Sequence, residues 1–173
     1  MMNFYESLGF LVFGSRMRRL SESFLLELNK VYHNLDLDFE ASWFPMFFLV
    51  SNQHPVSLND IARQLEISHS AVSQLASVLK KKGLITSVKS QIDERKQLLA
   101  LSKAGLTLKI ELAPVWLAIT ETMQSLFAEN QESASLLAAI SVFEARLQSG
   151  NLNKLIQERY RQNRLVTTFN KLI

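Results

Sequence analysis

Residues 58–101 read LNDIARQLEISHSAVSQLASVLKKKGLITSVKSQIDERKQLLAL. Asn59 and Asp60 fall in the first turn of a helix, where polar side chains meet free backbone N–H groups. Ile61, Ala62 and Leu65 follow at helical spacing, and Ala62 is small where two crossing helices must come close. Ile67 is apolar just after the turn, and Ser68 caps a second helix along which Val72, Leu75 and Leu79 recur, with Ala71 and Ala76 filling in. That helix stops at Gly83, a residue suited to a left-handed C-terminus, after Lys80, Lys81 and Lys82 in its last turn. The turn between the helices carries Glu66 where glycine is frequent, so it requires an unusual backbone angle or a different turn. Leu84, Ile85, Thr86 and Val88 then favour a strand, and Gln97 to Leu101 favour its return, with a polar tip over Lys89 to Lys96. The segment from about residue 55 to 102 therefore predicts a helix-turn-helix followed by a β-hairpin wing.

This geometry is one that sets a helix into the major groove of DNA. Ser68, His69, Ser70, Ser73, Gln74 and Ser77 put short hydrogen-bonding groups at the start and along the exposed face of the second helix, and Gln74 suits adenine. Residues 80–103 hold seven basic side chains against two acidic ones, an excess of +5 in a chain whose whole net charge is +3. Lys80, Lys81, Lys89, Arg95 and Lys96 are the candidate phosphate contacts within that cluster. Two blander readings stand beside this one: a solvated polar face, and a winged-helix module that binds protein. Domains of the second kind keep the core pattern and lose the basic face, which this chain retains.

The stretch GLITSVKSQIDERKQLLALSKAG resembles the wing and following helix start of the MarR family of winged helix-turn-helix regulators, through Gly83-Leu84-Ile85, Asp93, Arg95, Leu101-Ser102 and Gly105. The resemblance implies that Asp93 and Arg95 hold the shape of the wing and that Arg95 reaches the minor groove. Threonine is common in the family where this chain has Ser102, a change that keeps the helix cap. It also implies a ligand-responsive repressor that binds a pseudo-palindromic operator in double-stranded DNA as a homodimer joined by its first and last helices. Mapped here, that surface comes from about residues 4–20 and 130–165, with Phe4, Leu8, Phe10, Leu11, Leu136, Leu137, Ile140 and Phe143 as candidates; each could equally serve the monomer core. An apolar cleft between dimer helices and winged unit falls on Trp43, Phe44, Phe47 and Phe48 with Trp116, where either a small apolar or aromatic ligand or ordinary core packing is served.

Length and composition fit one mainly α domain over residues 1–173, a winged core flanked by long dimerisation helices at about 3–33 and 103–173. With no cysteine, disulfides, thiolate metal sites and cysteine nucleophiles are excluded. No apolar run is long enough to span a membrane and no basic segment precedes the N-terminal apolar stretch, so a cytoplasmic location is expected. His33, His54 and His69 lack zinc-protease spacing, and there is no glycine-rich phosphate loop or nucleophile elbow, so neither enzyme activity nor a metal or other cofactor is expected.

The flanks predict a single helix over residues 3–33, a very apolar helix from Trp43 to Ser51, a long helix from Lys103 to Phe127 kinked at Pro114, and another from Ser133 to Leu147. A break at Gly150 precedes an amphipathic segment from Leu152 to about Leu172, which either extends the dimer interface or adds a second basic surface.

Overall fold

The computed structural model describes residues 4–53, 55–89 and 97–169. The chain divides into two compact units, Met1–Ala113 and Pro114–Ile173, with the boundary inside one long helix. In the first unit the elements run α1 (Phe4–Ser7), a 3-10 turn (Gly9–Val12), α2 (Phe13–Asn34), a 3-10 turn (Ala41–Trp43), α3 (Phe44–Asn52), β1 (Val56–Ser57), α4 (Leu58–Leu65), α5 (His69–Lys81), β2 (Ile85–Lys89) and β3 (Gln97–Leu101). Helix α6 (Lys103–Ala128) crosses the boundary, and α7 (Gln131–Ala134), α8 (Leu136–Gln148) and α9 (Leu152–Phe169) belong to the second unit.

The helix-turn-helix forms as its residues require. Ser57 caps α4, its hydroxyl accepting from the Asp60 N–H at 3.1 Å and donating to the Asp60 carboxylate at 2.7 Å. Glu66 takes the left-handed conformation that ends α4, with φ 54° and ψ 35°, so the turn keeps the backbone glycine would adopt and places a glutamate in it. Gly83 ends the basic turn after α5 with φ 70°.

The wing is larger than the hairpin expected from sequence. β2 and β3 pair antiparallel with Ile85 opposite Leu101, and β1 adds a third strand to the other edge of β3, with Val56 opposite Leu99. Two residues are too short a run to show strand periodicity, so β1 is visible only through its partner. Val56, Ile85, Leu99 and Leu101 point inward, onto a core shared with Met46, Phe47 and Val50 of α3, Ile61 of α4, Val72, Ala76 and Leu79 of α5, and Leu108 and Leu112 of α6. Each of the Val, Leu, Ile, Met and Phe side chains among them, fully buried, contributes about 1.5–3 kcal/mol.

The helix expected over residues 3–33 is broken. Gly9 has φ 53°, and a 3-10 turn separates α1 from α2. A glycine inside an apolar stripe reads as tolerated, whereas here it uses backbone freedom that leaves the helix. The segment expected as one helix from Ser133 to Leu147 starts earlier and is interrupted: Asn130 caps the four-residue α7 by accepting from the Ser133 N–H at 2.8 Å, and α8 follows after Ser135. α6 carries Pro114 inside it without ending there. No helix among the described residues is long and apolar enough to cross a membrane.

Candidate nucleic-acid interface

Helix α5 is set by one polar cap and one apolar stripe. Ser68 accepts from the Ala71 N–H at 3.2 Å and lies 3.0 Å from the Ser70 hydroxyl. Val72, Ala76 and Leu79 are buried and fix the rotation of the helix. With about 100° between successive residues, the line opposite that stripe is Ser70, Gln74, Ser77 and Lys81, all exposed. This ridge runs about 16 Å along the helix.

The remaining sequence candidates lie to one side of it. His69 and Lys80 are exposed on the flank, and Ser73 between them is half-buried, its hydroxyl 3.4 Å from His69 Nδ1. Val78, passed over in the sequence because an apolar residue in a helix reads as core, is 40% exposed beside Gln74 and Lys81. An apolar group at that place suits a thymine methyl. The signal available in sequence was rotational: Val78 is two positions from Ala76 and so leaves the buried stripe.

The three lysines at the end of α5 are not equivalent. Lys80 and Lys81 are exposed, whereas the Lys82 ammonium donates to both carboxylate oxygens of Asp38, at 2.8 and 2.9 Å, and stands 5.7 Å from the centre of the Trp43 ring. Lys82 therefore ties the end of α5 to the segment before α3.

The wing is held at its base. The Ser102 hydroxyl donates to the Gly83 carbonyl and accepts from the Gly105 N–H at 3.0 Å, capping α6, while the Ser102 N–H donates to the Leu84 carbonyl at 3.0 Å. Gly105 is buried against that same carbonyl: a Cβ there would lie 2.0 Å from the Leu84 oxygen. Lys89 is exposed at the end of β2. Asp93, Arg95 and Lys96 lie outside the described residues, as does His54.

The aromatic residues considered for a ligand cleft divide between core and surface. Trp43 and Phe47 are buried, each edge-on to Phe39 with ring centres 5.8 and 5.3 Å apart, and Tyr32 extends the cluster. Phe44 is half-buried and stacks on Phe48, which is exposed. Trp116 is half-buried and lies in the second unit.

Residues 37–96 match the model of the MarR family. This segment, about a third of the chain, is similar to the MarR family. Solved MarR-type structures agree in fold. The MepR–DNA complex of S. aureus matches with a TM-score of 0.64 at 19% identity, over 77% of this chain and 96% of that one. A MarR/EmrR family transcriptional regulator from Acinetobacter sp. ADP1 matches at 0.61 and 17% identity, over 80% and 95%. PcaV from Streptomyces coelicolor, solved with its natural ligand, matches at 0.58 and 18% identity, over 79% and 91%. Comparison with curated proteins returns no match. The matched segment takes in α3, the helix-turn-helix and the first wing strand, and the solved structures extend the likeness in fold to the helical flanks.

Proposed function

We propose that this chain is a MarR-family, sequence-specific DNA-binding transcriptional regulator, a homodimer on a pseudo-palindromic operator and a ligand-responsive repressor. The observation that carries the reading is the ridge of α5: four exposed polar side chains, Ser70, Gln74, Ser77 and Lys81, in one line directly opposite the buried stripe, with no acidic side chain anywhere in the helix. A ridge of this kind is what a major groove accepts, and Lys80 and Lys89 add positive charge beside it. Asp93 and Arg95 take the wing roles that the family resemblance assigns them, and Lys96 adds a positive charge beside them in the sequence. A DNA-binding role carries with it a cytoplasmic location.

The dimer is supported by surface that a single chain leaves uncovered. Phe4, Phe10 and Leu11 near the start, and Leu137, Val142 and Phe143 in α8, are exposed, at values reaching 93% for Phe10. Within the second unit an open groove of about 390 Å³ is lined by the apolar Phe143, Leu147, Leu152 and Leu155 together with the charged Arg146, Lys154 and Glu158, a mixed surface that a second copy could cover. Two copies on a two-fold axis would present two α5 ridges to two half-sites.

For the effector, Phe44 and Phe48 are the accessible part of the aromatic cluster, while Trp43 and Phe47 serve as packing behind them. An apolar or aromatic small molecule stacking there would act by shifting the population of DNA-competent dimers.

The test is binding to duplexes from the chain's own promoter, followed across salt concentration. Gln74→Ala should change sequence preference by about 1–3 kcal/mol at one base pair. Arg95→Ala should weaken binding to all sequences and flatten the salt dependence by about one unit. Salt-independent or absent binding to every such duplex would favour the winged-helix protein-interaction module instead. Aromatic acids and apolar amines that leave DNA affinity unchanged would remove the effector role.

A further inference from the structure

The exposed side of α5 contains one residue that the helix itself does not require. Val78 is 40% exposed, one turn beyond Gln74 and one turn before Lys81. With about 100° per residue it lies about 40° round the axis from Gln74 and about 6 Å further along it. The buried stripe of Val72, Ala76 and Leu79 faces another way, so the Val78 side chain adds little to the core of the first unit. A β-branched residue is also a poorer helix former than alanine or lysine at a solvated position. An apolar group held there gains stability only when something covers it.

Its surroundings narrow the choice of cover. Half-buried Leu75 lies on its inner side, and the exposed Gln74, Ser77 and Lys81 surround it elsewhere. A single valine among polar side chains is a poor fit to an apolar protein partner, which meets a patch. α5 contains no arginine, the side chain most used to read guanine, and its two lysines, Lys80 and Lys81, stand in the last turn. The base-reading groups that remain favour A·T pairs. A glutamine amide matches the N7 acceptor and N6 donor of adenine, and the C5 methyl of thymine is the apolar group that base edges offer in the major groove. That methyl protrudes from the base edge, so a short valine reaches it where a longer glutamine beside it reaches the ring edge of adenine.

We propose that Gln74 and Val78 act as a pair that reads two neighbouring A·T pairs in each half-site: Gln74 takes the adenine of one, and Val78 covers the thymine methyl of the other. The advance of about 6 Å between the two side chains places the second pair within two steps of about 3.4 Å from the first. The inference rests on the DNA-binding reading above and deepens it, by naming the bases and assigning Val78 to specificity.

The experiment starts from the full chain and a duplex pool randomised over about 24 positions, enough for two half-sites one helical turn apart. The selected half-site should contain two A·T pairs no more than two steps apart. Q74A should lose the preference at one of them, and V78A at the other. Each dT of the selected duplex is then replaced singly by dU, which removes only the methyl group. For the unmodified chain one position per half-site should lower affinity about fourfold, the worth of one buried methyl. V78A should show no loss on the same replacement, so that side chain and methyl are coupled by that fourfold in a double-mutant cycle. Alanine forms helix better than valine, so circular dichroism of V78A should match the parent.

A selected duplex that tolerates dU at every position, or that loses as much with V78A as with the parent, would overturn this proposal and leave the regulator reading intact. A Q74A chain that keeps both A·T preferences would overturn the pairing of the two residues. V78A that changes sedimentation but not base preference would make Val78 a contact between copies and also overturn the proposal. A pool from which nothing is enriched, with no binding to any duplex, would overturn the two readings together.

Discussion

Residues 4–113 and residues 114–164 are both mainly helical, but they solve the problem of apolar surface in different ways. In the first unit, α3 to β3 and the start of α6 enclose a core in which Met46, Phe47, Val50, Ile61, Val72, Leu79 and Leu112 lose contact with solvent. In the second, no described residue is buried, and Leu137 and Val142 stand 71% and 65% exposed. The first unit therefore has an interior of its own. The second has apolar helices whose described side chains are not buried, which costs hydrophobic stabilisation, the dominant favourable term in folding. Under the proposed function, the difference would separate the unit that reads DNA from the unit that joins two copies.

The comparison breaks most visibly at Gly105. Gly105→Ala forces a methyl group against the Leu84 carbonyl and should cost about 3 kcal/mol, read as a lowered urea midpoint and loss of DNA binding. An unchanged midpoint would mean that the wing base is looser than its geometry. Next in size is the dimer. Leu137 and Val142 point to different sides of α8, so L137E/V142E introduces charge on whichever side a partner covers. Sedimentation equilibrium should show the dimer dissociation constant raised by about 100-fold, or 2.7 kcal/mol, with the thermal transition of the winged unit retained. A dimer that survives would assign cohesion to residues 4–20 alone.

Two smaller effects sharpen the picture of the winged unit. Glu66→Gly relieves a left-handed glutamate and should stabilise by about 1 kcal/mol, a rise of a few degrees in Tm. No rise would mean that contacts of the Glu66 side chain offset the backbone strain. Asp38→Asn should release Lys82 from its carboxylate. The stability change should stay below about 1 kcal/mol, because the pair is exposed, while the salt slope of DNA binding steepens by up to about one unit per protomer. An unaltered slope would show that Lys82 is out of reach of phosphate even when freed.

Much of the winged unit was legible in the sequence because its signals are local. Ser68 as cap, Gly83 as left-handed stop, the strand from Gln97 to Leu101 and the strained place of Glu66 all depend on residues a few positions apart. The candidate interface was legible as a list and became a geometry only with rotation fixed by Val72, Ala76 and Leu79, which separates Ser70, Gln74, Ser77 and Lys81 from His69, Ser73 and Lys80. The break at Gly9 was missed because a periodic stripe continues across it, and β1 because two residues have no period.

The amino-acid order alone thus determined the helix, turn, helix and wing, the concentration of positive charge in residues 80–103, and the exclusion of cysteine chemistry. Tertiary structure alone decided that Lys82 is held by Asp38 over Trp43, that Trp43 and Phe47 are core, that Val78 is surface, and that Gly105 is required by a carbonyl 21 residues earlier in the chain. Caps and turns are settled by neighbours in sequence, whereas pairing, burial and close approach depend on which distant residues the fold brings within a few ångströms.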